Sequence, residues 1–376
     1  MTQVDPKQGL DVSRYQAPLE RWMAQRSPER TELRLDDLSA PTASGFSNET
    51  VFFRASWREA GEPREKRFVA RIEPAGTPIF PDQTGISMPS VEAQFRAMQA
   101  VATASRVPIA RCVGYETDPG FVGRPFFVMD FVAGDVLRDN PLYTVQPGFF
   151  LEASPRSRRR LVESGLCVLA ELHAIDWKRA GLGWLAPPGA APGIGRQIEI
   201  YQRCAHAALG GRRHAVLEAG FDRLARELPA AGEPGISWGD ARPGNMIFAD
   251  FQCAAVTDWE GVAIGPPELD LGWWLMFDRF AHESANAPRP DGEPSREEQK
   301  RIYAEKAGHA CGDTRYFEIF AALRFTVVMI VNCDRMTAAG RIPASMQMGI
   351  HNPASQVLAD LLELPYSWMR EAGLAP

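Results

Sequence analysis

Ile236-Ser237-Trp238-Gly239-Asp240-Ala241-Arg242-Pro243-Gly244-Asn245 is the stretch on which the reading of this chain turns. Two short runs with strand character follow, Met246-Ile247-Phe248 and Ala254-Ala255-Val256-Thr257. Asp250-Phe251-Gln252 joins them, so the spacing predicts a hairpin. At its end stands Asp258, in Thr257-Asp258-Trp259-Glu260. Pro-Gly-Asn after an aspartate is by itself a good turn. The second carboxylate, delivered by the hairpin, makes the pattern a candidate site. Phosphoryl transfer needs a hydroxyl oriented for in-line attack and a carboxylate that holds and finally accepts its proton. It also needs magnesium, which prefers oxygen ligands such as an amide carbonyl and a carboxylate. Asp240 is therefore read as the base, and Asn245 and Asp258 as metal ligands.

Working outward, the chain divides by pattern. Residues 12–27 predict a short helix with Leu19, Trp22 and Met23 on one face. Thr50 to Trp57 and Phe68 to Ile72 predict strands, with Ala60-Gly61-Glu62-Pro63 as the turn between them. An irregular, proline-rich connection over 73–89 leads to a helix from Ser90, with Val91, Phe95, Met98 and Ala102 on its buried face. Two more strand candidates lie near Ala110 to Glu116 and at Pro125 to Asp130. Beyond a crossing segment, Gly134 to Gln146, the pattern turns helical: Pro155 to Asp176, Arg196 to Glu227 as one or two helices, Asp270 to Ala281, and Tyr316 to Cys333. The expected class is α+β.

Composition limits the function. The chain has 376 residues, a net charge of -6 and 45% hydrophobic residues, proportions of a globular protein long enough for two domains. An acidic balance argues against a global grip on nucleic acid. The six cysteines are scattered, without metal-ligand spacing, and read as reduced thiols. The N-terminus carries no secretory pattern and the apolar runs are too short for a bilayer, so a cytoplasmic protein with no membrane partner is expected. The run Arg156, Arg158, Arg159, Arg160 reads as a solvated helix start, and His173 as a structural residue of its amphipathic helix.

The spacing of Asp240 and Asn245, with an aspartate after a hairpin, is that of the protein-kinase catalytic loop. Trp238 to Asp270 resembles the aminoglycoside phosphotransferase-like family, also called the phosphotransferase enzyme family. Gly45-Phe46-Ser47-Asn48-Glu49-Thr50 looks like the family's nucleotide loop. Gly123 to Gly134 looks like its last N-lobe strand and hinge, Leu169 to Ala174 like its first large C-lobe helix, and Pro266 to Trp274 like the segment after the metal aspartate. The resemblance covers residues 40–335.

That resemblance implies a protein-kinase-like two-lobed fold, with a small, mainly antiparallel-sheet N-lobe over 1–130 and a larger, mainly helical C-lobe over 131–376. It implies ATP and Mg2+ as cofactors, a small-molecule hydroxyl acceptor as partner, and a monomer or homodimer. Ser47 and Asn48 would offer donors to phosphates, Arg71 would stand where kinases place the phosphate-binding lysine, and Met129 and Phe131 would supply backbone groups to adenine. Glu92 is the only carboxylate of the 90–102 helix and thus the partner acid expected for Arg71, although the family's acid frame falls closer to Gln94. Trp238 replaces the usual histidine and is read as packing support. Asp270 would orient the catalytic loop, or cap its helix. The competing reading is a nucleotide-binding regulatory pseudokinase without turnover. The aromatic segment Trp273 to Phe280 suits a partly apolar acceptor better than a polycation.

Overall fold

The structure, a computed structural model, describes residues 11–41, 48–186, 189, 191–230 and 232–374. Helix α1 (Gln16–Arg26) leads into strands β1 (Thr31–Ser39), β2 (Glu49–Glu59) and β3 (Glu62–Ile72). After α2 (Ser90–Ala104) come β4 (Cys112–Glu116) and β5 (Phe126–Asp130). The strands form one five-stranded antiparallel sheet in the order β1-β2-β3-β5-β4.

Alternation builds this sheet. Val51, Phe53, Ala55 and Trp57 of β2 are buried while Phe52, Arg54, Ser56 and Arg58 are not, the period-2 signature of a strand with one dry face. That face meets Leu19, Trp22 and Met23 of α1 in a core shared with Phe68, Phe126 and Val128. Trp22 packs edge-on to Phe126 at 5.2 Å between ring centres. The sequence pattern did not predict β1. It buries only Leu33 and Leu35, carries Asp36 and Asp37, and has bulges against β2. Charge and bulges protect a sheet edge, and they also erase the hydrophobic periodicity that announces a strand.

The second half is mainly helical. Helix α3 (Pro155–His173) starts on the Ser154 hydroxyl, which accepts the Ser157 N–H at 3.2 Å, with Pro155 in the first turn. Helices α4 (Ile194–Leu209) and α5 (Ala215–Arg226) follow. Strands β6 (Gly235–Ser237), β7 (Met246–Ala249), β8 (Gln252–Val256) and β9 (Ala263–Gly265) form two small ladders, β6 with β9 and β7 with β8. Asp250 and Phe251 both hold positive φ in the β7–β8 turn, the conformation of a two-residue hairpin.

Helix α6 (Glu268–Arg279) crosses α8 (Arg315–Ala338), with α7 (Arg296–Ala307) against α3 and α9 (Pro353–Leu361) behind α8. The crossing is close because a Cβ on Gly272 would sit 2.6 Å from the Phe317 backbone. Trp273 is buried against Phe325 of α8, and Trp274 on the other side of α6, where its indole N–H donates to Gln299 of α7 at 2.7 Å; each contributes about 3 kcal/mol by area. Helix α8 alone has the length and apolarity to span a bilayer, among the described residues, which the short apolar runs of the sequence did not predict. Its most apolar window is 67% buried inside the protein, so here that apolarity fills the core. Helix α7 lies in a stretch the pattern left unassigned. Its signal was the capping box, with Ser295 accepting the Glu298 N–H and Glu298 accepting the Ser295 N–H.

Candidate active site

Strand β6 runs into the catalytic-loop motif, and one buried carboxylate fixes the turn. Asp270, in the first turn of α6, accepts the backbone N–H of Trp238 at 2.6 Å and of Gly239 at 2.9 Å. It also accepts the Ser237 hydroxyl at 2.8 Å, and His173 Nε2 lies 3.1 Å away. His173 Nδ1 meets the Tyr303 hydroxyl at 2.6 Å. Burial pushes the Asp270 pKa up, but the bonds from His173, Gly239 and Ser237 overcome it and hold the group below its ordinary value. Asp270 therefore fastens the turn at Trp238 and Gly239, and His173 bonds to Asp270 from behind. Gly239 has φ +91°, and a Cβ there would collide with the Gly261 carbonyl, so only glycine lets the loop pass this close. Arg324 of α8 donates to the Gly239 carbonyl at 2.6 Å.

The turn presents Asp240. Its Oδ1 accepts the Trp273 indole N–H at 2.8 Å and Arg242 Nε at 2.9 Å. Arg242 also pairs with Asp139 of the crossing segment and stacks on Phe277 at 5.0 Å. Asn245 donates its amide N–H to the Asp240 main-chain carbonyl at 3.1 Å, which turns the amide oxygen the other way. Asp258 joins them through the backbone. Thr257 donates both its N–H and its hydroxyl to the Asn245 carbonyl, at 2.9 and 2.8 Å. The Trp238 indole N–H reaches the carbonyls of Thr257 at 2.8 Å and Asp258 at 3.2 Å. Trp238 is thus more than packing, since it fastens the Asp240 loop to the hairpin end. Asp258 itself adopts a left-handed backbone, φ +57°, a strained conformation of the kind that clusters at functional sites.

Across the cleft, Arg71 of β3 faces this group. Its Nη2 donates to Asp258 Oδ1 and to Glu260 Oε1, both at 2.9 Å, and lies 3.4 Å from Gln94 Oε1. Its Nη1 donates to Thr50 at 3.1 Å. Glu92 is not there. It faces Arg96 at 3.4 Å and Tyr115 at 3.2 Å. The expectation that Glu92 partners Arg71 is therefore corrected, because α2 turns position 94 rather than 92 toward the cleft, and that position is an uncharged glutamine. Glu260, quoted in the sequence motif but given no role there, is the acid that does meet Arg71. Asn48 donates to the same Glu260 oxygen at 3.0 Å. Burial, and then the neighbouring Asp258 carboxylate, push the Glu260 pKa well above the ordinary range, with Arg71 opposing them.

The remaining expectations distribute unevenly. Ser47 and the glycine-bearing part of its loop lie outside the described residues. Met129 pairs with Val69 and Cys112 inside the sheet. The Phe131 N–H goes to the Arg67 carbonyl at 3.1 Å, and the Arg67 guanidinium stacks 3.7 Å from the Phe131 ring. A backbone donor to adenine would thus have to come from beyond Phe131. There the crossing segment frames a cavity of about 540 Å³, lined by Val136, Leu137, Tyr143, Phe149, Phe150 and Arg138 among others. Asp139, the partner of Arg242, belongs to the same segment.

Asn245 and Asp258, linked through Thr257, carry hard oxygen donors of the kind magnesium takes. A second carboxylate–histidine cluster, Asp278, His282 and Glu293, is buried elsewhere. Arg289 grips both oxygens of Asp278 at 3.0 and 2.6 Å, and Arg296 approaches it at 3.3 Å. Those cations already supply the charge a metal would bring.

The fold and this cleft are those of a protein-kinase-like phosphotransferase. The chain belongs to the phosphotransferase enzyme family, whose profile matches residues 40–310. It is 28% identical over 271 residues to acyl-CoA dehydrogenase family member 11 of Gallus gallus, covering 70% of this chain and 31% of that protein. The chain spans about a fifth to a third of the length of the curated relatives it matches. Among solved structures, it is similar to a Ralstonia eutropha protein named for the aminoglycoside phosphotransferases, with TM-score 0.66, 23% identity, and coverage of 92% of this chain and 98% of that one. The streptomycin-ATP complex of APH(2")-IIa aligns with TM-score 0.54 and 14% identity, over 96% of this chain and 98% of that one. Both likenesses bear on the fold.

Proposed function

We propose that this protein is an ATP- and magnesium-dependent phosphotransferase that moves the γ-phosphoryl group to a hydroxyl of a small molecule. The observation that carries this reading is the bonded unit of Asp240, Asn245 and Asp258, facing a strand guanidinium across a cleft. Asp240 accepts the proton of the acceptor hydroxyl, held in place by Trp273 and Arg242. Asn245 and Asp258 would hold magnesium, which when bound offsets the charge of the triphosphate. Arg71 grips phosphate oxygens with its planar fork. Residues up to 130 act as the nucleotide-binding lobe, and the helices after Asp270 hold the acceptor.

The acceptor is inferred to be partly apolar. A polycation needs unpaired carboxylates, and most acids near α6, Glu268 apart, are spent. Asp270 is buried, Asp278 is paired with Arg289, and Glu283 with Arg279 and Arg296. Val136, Leu137, Tyr143, Phe149 and Phe150 give the cavity beyond Phe131 apolar walls, beside the polar Asp135, Arg138 and Gln146. Relatives named as acyl-CoA dehydrogenase family members make hydroxyacyl thioesters the class to try first. A binding-only reading is favoured by one observation, that Arg71 already occupies an oxygen of the metal aspartate. An ATP-consumption screen with magnesium separates them, run with wild type and Asp240→Ala on hydroxyacyl-CoAs, choline-like alcohols, sugars, macrolides and aminoglycosides. Acceptor-dependent turnover that vanishes in the variant supports the kinase. Nucleotide binding without turnover for any acceptor supports the binder.

A further inference from the structure

We infer that Glu260 is the positioning residue for Arg71, doing from the far side of the cleft what a kinase's helix glutamate does from beside the strand. In protein kinases a strand lysine is held for phosphate by a glutamate of the adjoining helix, and the pair must be formed for activity. Here the helix position beside Arg71 is Gln94, an uncharged amide at 3.4 Å, while Glu92 is spent on Arg96 and Tyr115. The carboxylates within 3 Å of the guanidinium are Asp258 and Glu260, both from the segment after the hairpin.

These two acids cannot do the same work. Asp258 is the metal-ligand candidate, and its side chain is 28% exposed toward the cleft. A cation on Asp258 would compete with Arg71 for that carboxylate. Glu260 is 4% exposed, so it is fixed in place rather than offered to solvent. It also accepts from Asn48, where β2 begins. Its carboxyl therefore ties β3 and the nucleotide-loop end to the turn after Asp258. With Asp258 engaged by a metal, Glu260 would keep Arg71 aimed into the cleft. Glu260 thus acts through Arg71.

The proposal rests on the nucleotide reading above but not on turnover, so its test is a binding measurement. ADP affinity would be measured by calorimetry, with magnesium in excess, for wild type, Glu260→Ala, and Glu260→Ala combined with Gln94→Glu, with thermal melting as the folding control. Glu260→Ala should weaken ADP binding about tenfold, equivalent to about 1.4 kcal/mol. The added Gln94→Glu, which restores a carboxylate to the same guanidinium from α2, should recover most of that loss. Unchanged ADP affinity in Glu260→Ala overturns the proposal, even if its melting temperature falls. So does a weakened Glu260→Ala that a folded double variant fails to rescue. A wild type that binds no ADP would break the nucleotide reading, and this proposal with it. With an acceptor in hand, the loss should appear in KM for ATP more than in kcat.

Discussion

Asp270 and Arg71 each gather partners from several elements, but the bonds differ in kind. Asp270 is fully buried and holds two main-chain N–H groups, a serine hydroxyl and a histidine. Arg71 is part-buried, and its partners are all side chains, from Thr50 and Gln94 on one side of the cleft and Asp258 and Glu260 on the other. Backbone bonds to a buried carboxylate fix a loop regardless of which side chains flank it. Side-chain ion pairs at a cleft can be exchanged, partner for partner. The Asp240 side therefore keeps the family's pattern apart from Trp238. The Arg71 side departs from it at 71 and 94 and draws its acid from beyond the hairpin.

The contrast can be broken experimentally. The largest expected effect is on the base. Asp240→Ala should lower kcat about a thousandfold while leaving nucleotide affinity in place, and a variant that keeps its rate would remove Asp240 from the chemistry. Next comes the backbone anchor. Asp270→Ala strands two buried N–H groups and should cost about 3–4 kcal/mol of stability, read by denaturant unfolding. A loss below about 1 kcal/mol would mean that the loop holds its own shape.

A third test asks whether the helical frame weakens separately from the cleft. His214 caps α5, accepting the Leu217 N–H at 3.2 Å, with the Ser355 hydroxyl on its other nitrogen. Burial, and then His351, push its pKa down to about 4, with Glu218 and Arg212 also facing it. A depressed histidine pKa means that the unfolded chain binds more protons between the ordinary value, about 6.5, and pH 4. Its stabilising contribution is complete above pH 6.5 and falls by up to about 3 kcal/mol as pH drops to 4. His214→Asn keeps a cap acceptor, so its melting temperature should fall less steeply over that range. Parallel pH curves for the two proteins would count against the buried, neutral histidine.

Arg71→Lys keeps the charge but loses the fork that bonds Thr50 and Glu260 together, so KM for ATP should rise about three- to tenfold. An unchanged KM would show that charge alone serves. Glu92→Gln marks the small end. It should change ADP affinity less than about twofold, because Glu92 serves Arg96 and Tyr115. A tenfold loss there would restore it as the partner of Arg71 and undo the contrast between the two sides.

The order of motifs was legible in the chain. Asp240, Asn245, Asp258 and Asp270 stand in continuous sequence around a predictable hairpin, so local spacing brings them together almost unaided. Alternation in β2 and amphipathicity in α3 were readable for the same reason, since burial of one face imposes a period. Strand β1 was not, because an edge strand has little apolar surface to show. Glu260 was missed as well. Its pairing with Arg71 joins residues 189 positions apart, and no periodicity records such a distance.

The sequence by itself determined the family, the α+β two-part plan and the carboxylate–amide set that defines the candidate chemistry. These follow from local spacing and from which faces must be dry. Tertiary structure alone decided which acid meets Arg71, that Trp238 ties the loop to the hairpin end, and that Trp273 and Arg242 hold Asp240. Those facts depend on how α2, α6 and the sheet pack across a cleft, and a two-residue difference in helix facing, 92 or 94, changes the answer.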